Sequence, residues 1–279
     1  MVLTPYEKIK QKLKCKIPSV TLDFIPNKWE KIGDVVTIKL DEKTQPYQKE
    51  IGKAFSNVLN CKTTLLDTGG ITGDLREPNI KIIYGSPECE TVHNENGIKY
   101  KLNPCKLMFS SGNIDERKRM GEITKKDEIV VDLFAGIGYF TLPIAVHGKA
   151  KKIFACEKNP LAYNYLCQNI VLNNVSGKVE PIKGDNRQVA PTNVADRVLL
   201  GFFKETKKFL KTAVQCLKNN EGIIHYHDVF PDKSVPEEAL HHINAVVNEY
   251  NKESELLKFR RVKSYAPGIG HYVFDIRIK

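Results

Sequence analysis

An α/β architecture is expected: a mostly parallel sheet with helices on both faces, preceded by a smaller α+β region. Three features of the 279 residues lead there. From about residue 127 onward, short apolar runs alternate with helix-like periodicity, the pattern of repeated βα units. The apolar run ending at Asp132 breaks at two glycines, Gly136-x-Gly138, and then resumes as a helix. Before about residue 115 the chain is instead rich in short strands and turns. Its turn signals fall at Asp67-Thr-Gly-Gly70, Gly73-Asp74 and Glu95-Asn-Gly97.

In chain order, the segment 34–41 reads as a strand. Residues 46–60 read as a helix, because Ile51, Phe55, Val58 and Leu59 recur at helical spacing. Lys81–Gly85 is a further strand. Ile129–Asp132 opens the second region, with a helix after Gly138 and a strand over 152–157. Asn159-Pro160 starts the next helix, Asn as N-cap and Pro at the first position. A strand leads into Asp185, another spans 196–203, and 204–219 reads helical. Residues 222–227 form a strand and 235–250 a helix. A terminal strand pair around Tyr265–Gly268 adds an antiparallel edge. The boundaries drawn are a basic segment over 1–25, an α+β region over 26–115 and the βα region over 116–279.

Composition excludes little. The 41% hydrophobic and 27% charged residues are ordinary for a globular chain. No apolar stretch approaches the roughly 20 residues that span a bilayer. The N-terminus lacks the apolar core and cleavage site of a signal peptide, so no membrane association and a cytoplasmic location are expected. The seven cysteines are scattered, without a CxxC pair, and are read as reduced thiols rather than as a disulfide framework or a zinc site. The net charge of +10 suits a polyanionic partner. A lysine-rich composition is the rival account, and charge alone favours nucleic acid only modestly.

In a sheet of this kind the ligand sits beyond the carboxyl ends of the strands, where the strand order reverses. Gly136 and Gly138 let the backbone approach a ligand closely. The third glycine of the dinucleotide fingerprint is absent, with Thr141 in its place. Asp132 precedes the loop. Glu157 ends the second strand, where a carboxylate accepts both hydroxyls of a ribose. Asp185 and Asn186 follow the third strand, placed to read an adenine edge. Carboxylates without a phosphate-binding lysine suit a nucleoside carrying a sulfonium cation, S-adenosylmethionine, better than a pyrophosphate.

The stretches DLFAGIGYFTLPIAVHGKAKKIFACEKNP, GDNR, ADRVLLGFF and GIIHYHD resemble archaeal class I S-adenosylmethionine enzymes that modify the guanosine beside the anticodon of phenylalanine tRNA. Residues 26–40 and 69–119 carry the same family's pattern. The resemblance implies a Rossmann-like class I methyltransferase domain with a seven-stranded sheet. Two sister activities share this frame, guanine-N1 methylation and a wybutosine-pathway transfer of the donor's 3-amino-3-carboxypropyl group. The methyltransferases carry Asn-Leu-Pro-type residues after the fourth strand and Asn-Pro-Arg before the position of Glu116-Arg117. Here Leu200-Gly201-Phe202-Phe203 and Phe109-Ser110-Ser111-Gly112-Asn113 stand in those places. Both departures, with His225-Tyr226-His227, resemble the aminocarboxypropyltransferase. Methylation at the same position is the alternative, and a non-catalytic tRNA-binding protein the second.

The resemblance implies Arg117 and Ser110 at the methionine moiety, Glu157 at the ribose, and Asp185 with Asn186 at the adenine. His225, His227 and Phe202 are the candidates near the reacting centre, and no general base is assigned. His225 and His227 share one strand face. No third ligand is spaced nearby, so no metal is expected. Phe109, Phe202, Phe203 and Tyr265 are candidates to stack on an extruded base. Lys81, Lys99, Lys101, Lys118, Arg119, Lys204, Lys207 and Lys208 are candidates for tRNA phosphates. The run Lys8, Lys10, Lys12, Lys14, Lys16, with Ile9, Leu13 and Ile17 on one stripe, is a docking helix or a tRNA-facing arm. A monomer without an obligate protein partner is expected.

Overall fold

A computed structural model describes residues 3–73, 77–203 and 205–279. Asp74 of the expected Gly73-Asp74 turn and the candidate cation Lys204 lie outside them. The chain forms two compact units, Met1–Glu95 with Lys99–Ser111, and Asn96–Ile98 with Gly112–Lys279.

The first unit comprises α1 (Pro5–Leu13), β1 (Glu30–Ile32), β2 (Val35–Ile38), α2 (Gln48–Leu59), β3 (Thr63–Thr72) and β4 (Glu77–Gly85), then a hairpin of β5 (Thr91–Glu95) and β6 (Ile98–Leu102). A capping box starts α1: the Thr4 hydroxyl accepts from the Glu7 amide, and the Glu7 carboxylate accepts from the Thr4 amide at 2.7 Å. The stripe Ile9, Leu13 and Ile17 is buried among Val36, Ile38, Ile51, Phe55 and Ile83, so the basic N-terminal segment supplies core to this unit. Its sheet has the order β1-β2-β3-β4, with β2 and β3 parallel through the α2 crossover and the other pairs antiparallel.

One cysteine expectation is overturned. Cys89 and Cys105 form a disulfide, their Cα atoms 6.2 Å apart. The reason is the β5–β6 hairpin, which folds the chain back and brings together residues that are 16 apart in sequence. The other five cysteines are free thiols.

The second unit comprises α3 (Ile114–Ile123), β7 (Ile129–Asp132), α4 (Thr141–His147), β8 (Lys152–Glu157), α5 (Pro160–Leu172), β9 (Val179–Lys183), α6 (Asn186–Val189), β10 (Arg197–Leu200), α7 (Leu210–Cys216), β11 (Gly222–Pro231), α8 (Glu237–Val247), β12 (Ser254–Ala266) and β13 (Ile269–Ile278). Its seven-stranded sheet has the order β12-β13-β11-β10-β7-β8-β9. Strands β11, β10, β7, β8 and β9 are parallel, and β13 runs antiparallel between β11 and β12. The Rossmann-like expectation and the antiparallel edge are both met. One helix is shorter than its periodicity suggested. Glu205 takes a left-handed φ of 68°, so a 3-10 turn over Thr206–Phe209 precedes α7.

The side chains explain the layering. Every residue of β10 is buried, as a parallel strand covered on both faces requires. Val131, Val198, Leu200, Tyr226, Phe274 and Ile276 form one core with Val214 of α7 and Ile243 and Val247 of α8. From β7 the sheet continues through β8 and β9 on one side and through β10 and β11 on the other. The strand order reverses there, leaving the crevice at the carboxyl ends of β7 and its neighbours.

Candidate functional site

The break after Asp132 is built around carboxylates. Asp132 is fully buried, and its oxygens accept from the Thr141 hydroxyl at 2.8 Å and the Phe134 amide at 3.2 Å. Burial outweighs these donors and pushes its carboxyl up to about 6. Asp132 thus ties the loop to the first turn of α4 through Thr141, the residue standing where the dinucleotide fingerprint has its third glycine.

Gly136 has φ +58° and Gly138 φ +104°, conformations that L side chains rarely adopt. A Cβ on Gly136 would lie 2.5 Å from the Tyr139 ring, and one on Gly138 would lie 2.7 Å from Leu142. The Gly136 amide donates to Glu157 Oε2 at 2.7 Å, and the Asn159 amide to Oε1 at 2.6 Å. Burial raises the Glu157 carboxyl, with the amide donors of Asn159 and Gly136 opposing it. Asn159 also caps α5.

Asp185 caps α6 and takes a fork from Arg187, Nε at 2.9 Å and Nη2 at 2.6 Å. That guanidinium holds its carboxyl far below the usual range. Asn186 donates to the Leu133 carbonyl at 2.8 Å, while its own Oδ1 is buried without a hydrogen-bond partner. An orphaned acceptor of this kind lacks about 1–3 kcal/mol of hydrogen bonding that a ligand N–H would restore. A glycine cradle, an acidic side chain at the second strand end and an unpartnered carbonyl at the third suit a nucleoside. Among the described residues, no group of three or more His, Cys, Asp or Glu side chains is placed to hold a metal ion.

Asp132, Gly136, Gly138, Glu157, Asp185 and Asn186 therefore cluster at one end of the sheet. Arg117 is buried in α3, at 1% exposure. Ser110 belongs to the other compact unit. Phe202 stacks on Phe134 at 4.8 Å, and Phe209 packs edge-on against both rings. Phe203 meets His271 edge-on at 4.3 Å, and Tyr265 is 47% exposed. Phe109 is corrected to core: it is 4% exposed and packs against His93 and Tyr100 inside the first unit.

His225 is corrected as well. Its Nδ1 meets Asp275 at 2.6 Å and its Nε2 meets Arg197 at 2.5 Å. Arginine is only a donor, so Nε2 must accept and the ring is neutral with its proton on Nδ1. Burial is the first cause of its lowered pKa. His225 is a structural bridge. His227 shares its face, as the strand alternation implies. It contacts His271 at 3.1 Å and packs against the Phe140 ring. Burial and the neighbouring His271 hold it well below the ordinary histidine range.

Among the candidate cations, Lys81, Lys99, Lys118, Lys207 and Lys208 are exposed, and Lys101 pairs with Glu90 at 2.8 Å. Arg119 is corrected to a half-buried structural role. It binds Glu116 and, at 2.6 Å, Asp275, and Arg260 closes on the same Glu116. The network Glu116, Arg119, Arg197, Asp275 and His271 was missed in the sequence. Its signal was a charge inside an otherwise apolar strand, Arg197 in DRVLL and Asp275 in VFDIRI, since a charge buried on a covered strand demands a partner.

The fold and this loop define a Rossmann-like nucleoside-binding enzyme of the class I methyltransferase type. Residues 91–257 match the TRM5/TYW2 methyltransferase domain and residues 9–88 the TYW2 N-terminal domain. The chain is 41% identical, over 97% of its length and 96% of the relative's, to the tRNA(Phe) (4-demethylwyosine(37)-C(7)) aminocarboxypropyltransferase of Pyrococcus horikoshii. It is 44% identical to the protein of the same name from Methanocaldococcus jannaschii, over 90% of this chain and 98% of that one. A crystal structure of P. horikoshii TYW2 in complex with MeSAdo superposes with a TM-score of 0.89 at 39% identity, covering 98% of both chains. The chain belongs to the TRM5/TYW2 family.

Proposed function

We propose that the chain transfers the 3-amino-3-carboxypropyl group of S-adenosylmethionine to C7 of 4-demethylwyosine beside the anticodon of tRNA(Phe), releasing methylthioadenosine. The carbon–sulfur bond to the γ-carbon breaks, a carbon–carbon bond forms at C7, and the C7 proton leaves. The sulfonium supplies a good leaving group. The protein's contribution is then mainly orientation, holding the γ-carbon rather than the methyl in line with the base.

In this reading Glu157 holds the ribose through lone pairs that Gly136 and Asn159 leave open. The unpartnered Asn186 carbonyl faces the adenine edge, and Asp185 orders the turn that presents it. Arg117 pairs with the methionine carboxylate. Asp132 acts one step back by fixing the glycine loop. Phe202, stacked on Phe134, forms an apolar wall where the methylating sisters carry amide-bearing residues. Residues 116–279 are proposed as the catalytic part, 26–115 as the substrate-associated part and 1–25 as the segment that completes the latter's core.

The observation that carries the reading is the glycine loop clamped on Glu157 beside an orphaned Asn186 acceptor, in a chain whose P. horikoshii and M. jannaschii relatives are both named for aminocarboxypropyl transfer. Incubation with carboxyl-labelled S-adenosylmethionine and hypomodified tRNA tests it. Label on the RNA with methylthioadenosine as by-product is expected. A methylated RNA with S-adenosylhomocysteine overturns it.

A further inference from the structure

The strands of the antiparallel edge are far longer than those of the sheet's centre. β7 and β10 have 4 residues each, whereas β11 and β13 have 10 and β12 has 13. β10 ends at Leu200, whose level is marked across the sheet by Tyr226, Phe274 and Phe259. Beyond that level run residues 227–231, 269–273 and 260–266. Five further residues of strand project about 16 Å past the carboxyl edge. That is the edge where the Gly136 loop and Phe202 lie.

The overhang has a definite chemistry. β12 is the exposed edge, and its register shifts three times, at Leu257, Val262 and Tyr265. Such bulges break the row of backbone donors and acceptors that an added protein strand would need. They also turn side chains outward, and Tyr265 is 47% exposed. Inward, Arg260 closes on Glu116 of α3. Outward, Arg261 pairs with Asp232 at 3.3 Å, both side chains over a third exposed, a pairing weak enough for a phosphate to replace. Lys263 runs along the backbone at Gly112, and Lys233 stands exposed just past β11. The arm therefore carries cations on both faces, Arg261 and Lys233 outward and the half-buried Lys263 toward Gly112, with the exposed Tyr265 ring beyond them. A polyanion with stackable rings fits this surface, and an added strand does not.

We propose that this projecting part of β11, β12 and β13 is a docking arm for the RNA strand flanking the target nucleotide. Arg261, Lys263 and Lys233 take backbone phosphates, and Tyr265 offers its face to an adjoining base. The proposal deepens the tRNA reading above and rests on it.

The test uses the full chain, tRNA binding measured across a salt series, and calorimetric titration with S-adenosylmethionine. The double variant R261Q/K263Q is expected to weaken tRNA binding about tenfold at low salt. It should also flatten log K against log salt by about one unit for each phosphate that is no longer neutralised. Tyr265→Ala should weaken binding at least about fivefold, and Tyr265→Phe should restore it. Lys151→Gln, at the amino end of β8, removes one positive charge at the opposite edge and should leave the slope unchanged. Unchanged S-adenosylmethionine affinity certifies folding in every variant. An unaltered slope in the double variant, or an equal change in the Lys151 control, overturns the arm. Wild-type protein that fails to move label onto tRNA overturns the functional reading instead.

Discussion

Asp132 illustrates how a side chain singled out in the sequence takes contacts its spacing did not reveal. Its place after an apolar strand and before Gly136 was plain in the sequence. That Thr141 and the Phe134 amide would occupy it was not, because hydrogen-bond partners depend on the path of the loop. The folded carboxyl near 6 lies above the unfolded value near 3.8. The folded state therefore holds this proton more tightly, and the contribution is present at low pH and lost as pH rises through about 6. Asp132→Asn should abolish that slope. The stability difference between variant and wild type should move by about 2 kcal/mol in favour of Asn between about pH 4 and pH 6, measured by chemical denaturation. A difference independent of pH would show that Asp132 ionises normally. At Glu157, replacement by Ala should weaken S-adenosylmethionine binding by about 1–3 kcal/mol in calorimetry. Gly136→Ala should weaken it further with the fold retained, since the added methyl meets Tyr139 and the backbone sits at positive φ. Wild-type affinity in either would mean the loop does not receive the nucleoside.

The helices and strands of the second unit were largely legible, because βα alternation and the Asn159-Pro160 start depend on local sequence. What joins them was not. Helix α3 and strand β13 lie far apart in the chain, yet Arg119 of α3 grips Asp275 of β13, which in turn holds His225 of β11. Arg119 looked like a surface cation because its only visible neighbours were the charges of its own helix. The network bears on the proposed site because α3 also carries the buried Arg117. Asp275→Asn should destabilise the protein by about 3–5 kcal/mol, as it leaves Arg119 short of a buried countercharge. His225 and Arg119 hold the Asp275 carboxyl below its ordinary value despite burial. Its stabilisation is therefore complete above the unfolded carboxylate pKa and is lost as pH falls through the folded one. The wild type should lose stability in acid faster than the variant, and parallel acid curves would refute this account.

At the scale of the full chain, 43 lysines and arginines against 33 acids favoured a nucleic-acid partner only modestly. Family resemblance decided it, since no local pattern distinguishes a phosphate-facing lysine from a solvated one. The same excess predicts contrasting responses to salt. Raising the concentration from about 50 to about 200 mM should weaken tRNA binding by orders of magnitude, while affinity for the small donor changes little. Equal salt sensitivity of the two ligands would speak against a phosphate-driven encounter. The disulfide of the first unit escaped notice for the opposite reason to the ion network. Its cysteines were read as scattered because the hairpin between them was not used to bring them together.

One consequence follows from the clamp on Glu157. Each of its oxygens already receives a main-chain hydrogen, so the group cannot swivel to suit a different sugar. In the proposed ribose role, its remaining lone pairs would meet a vicinal diol in fixed directions. A 2′-deoxy analogue of the donor would strand one of them in a sheltered place, giving the pocket a means of refusing deoxynucleosides without a side chain devoted to the task.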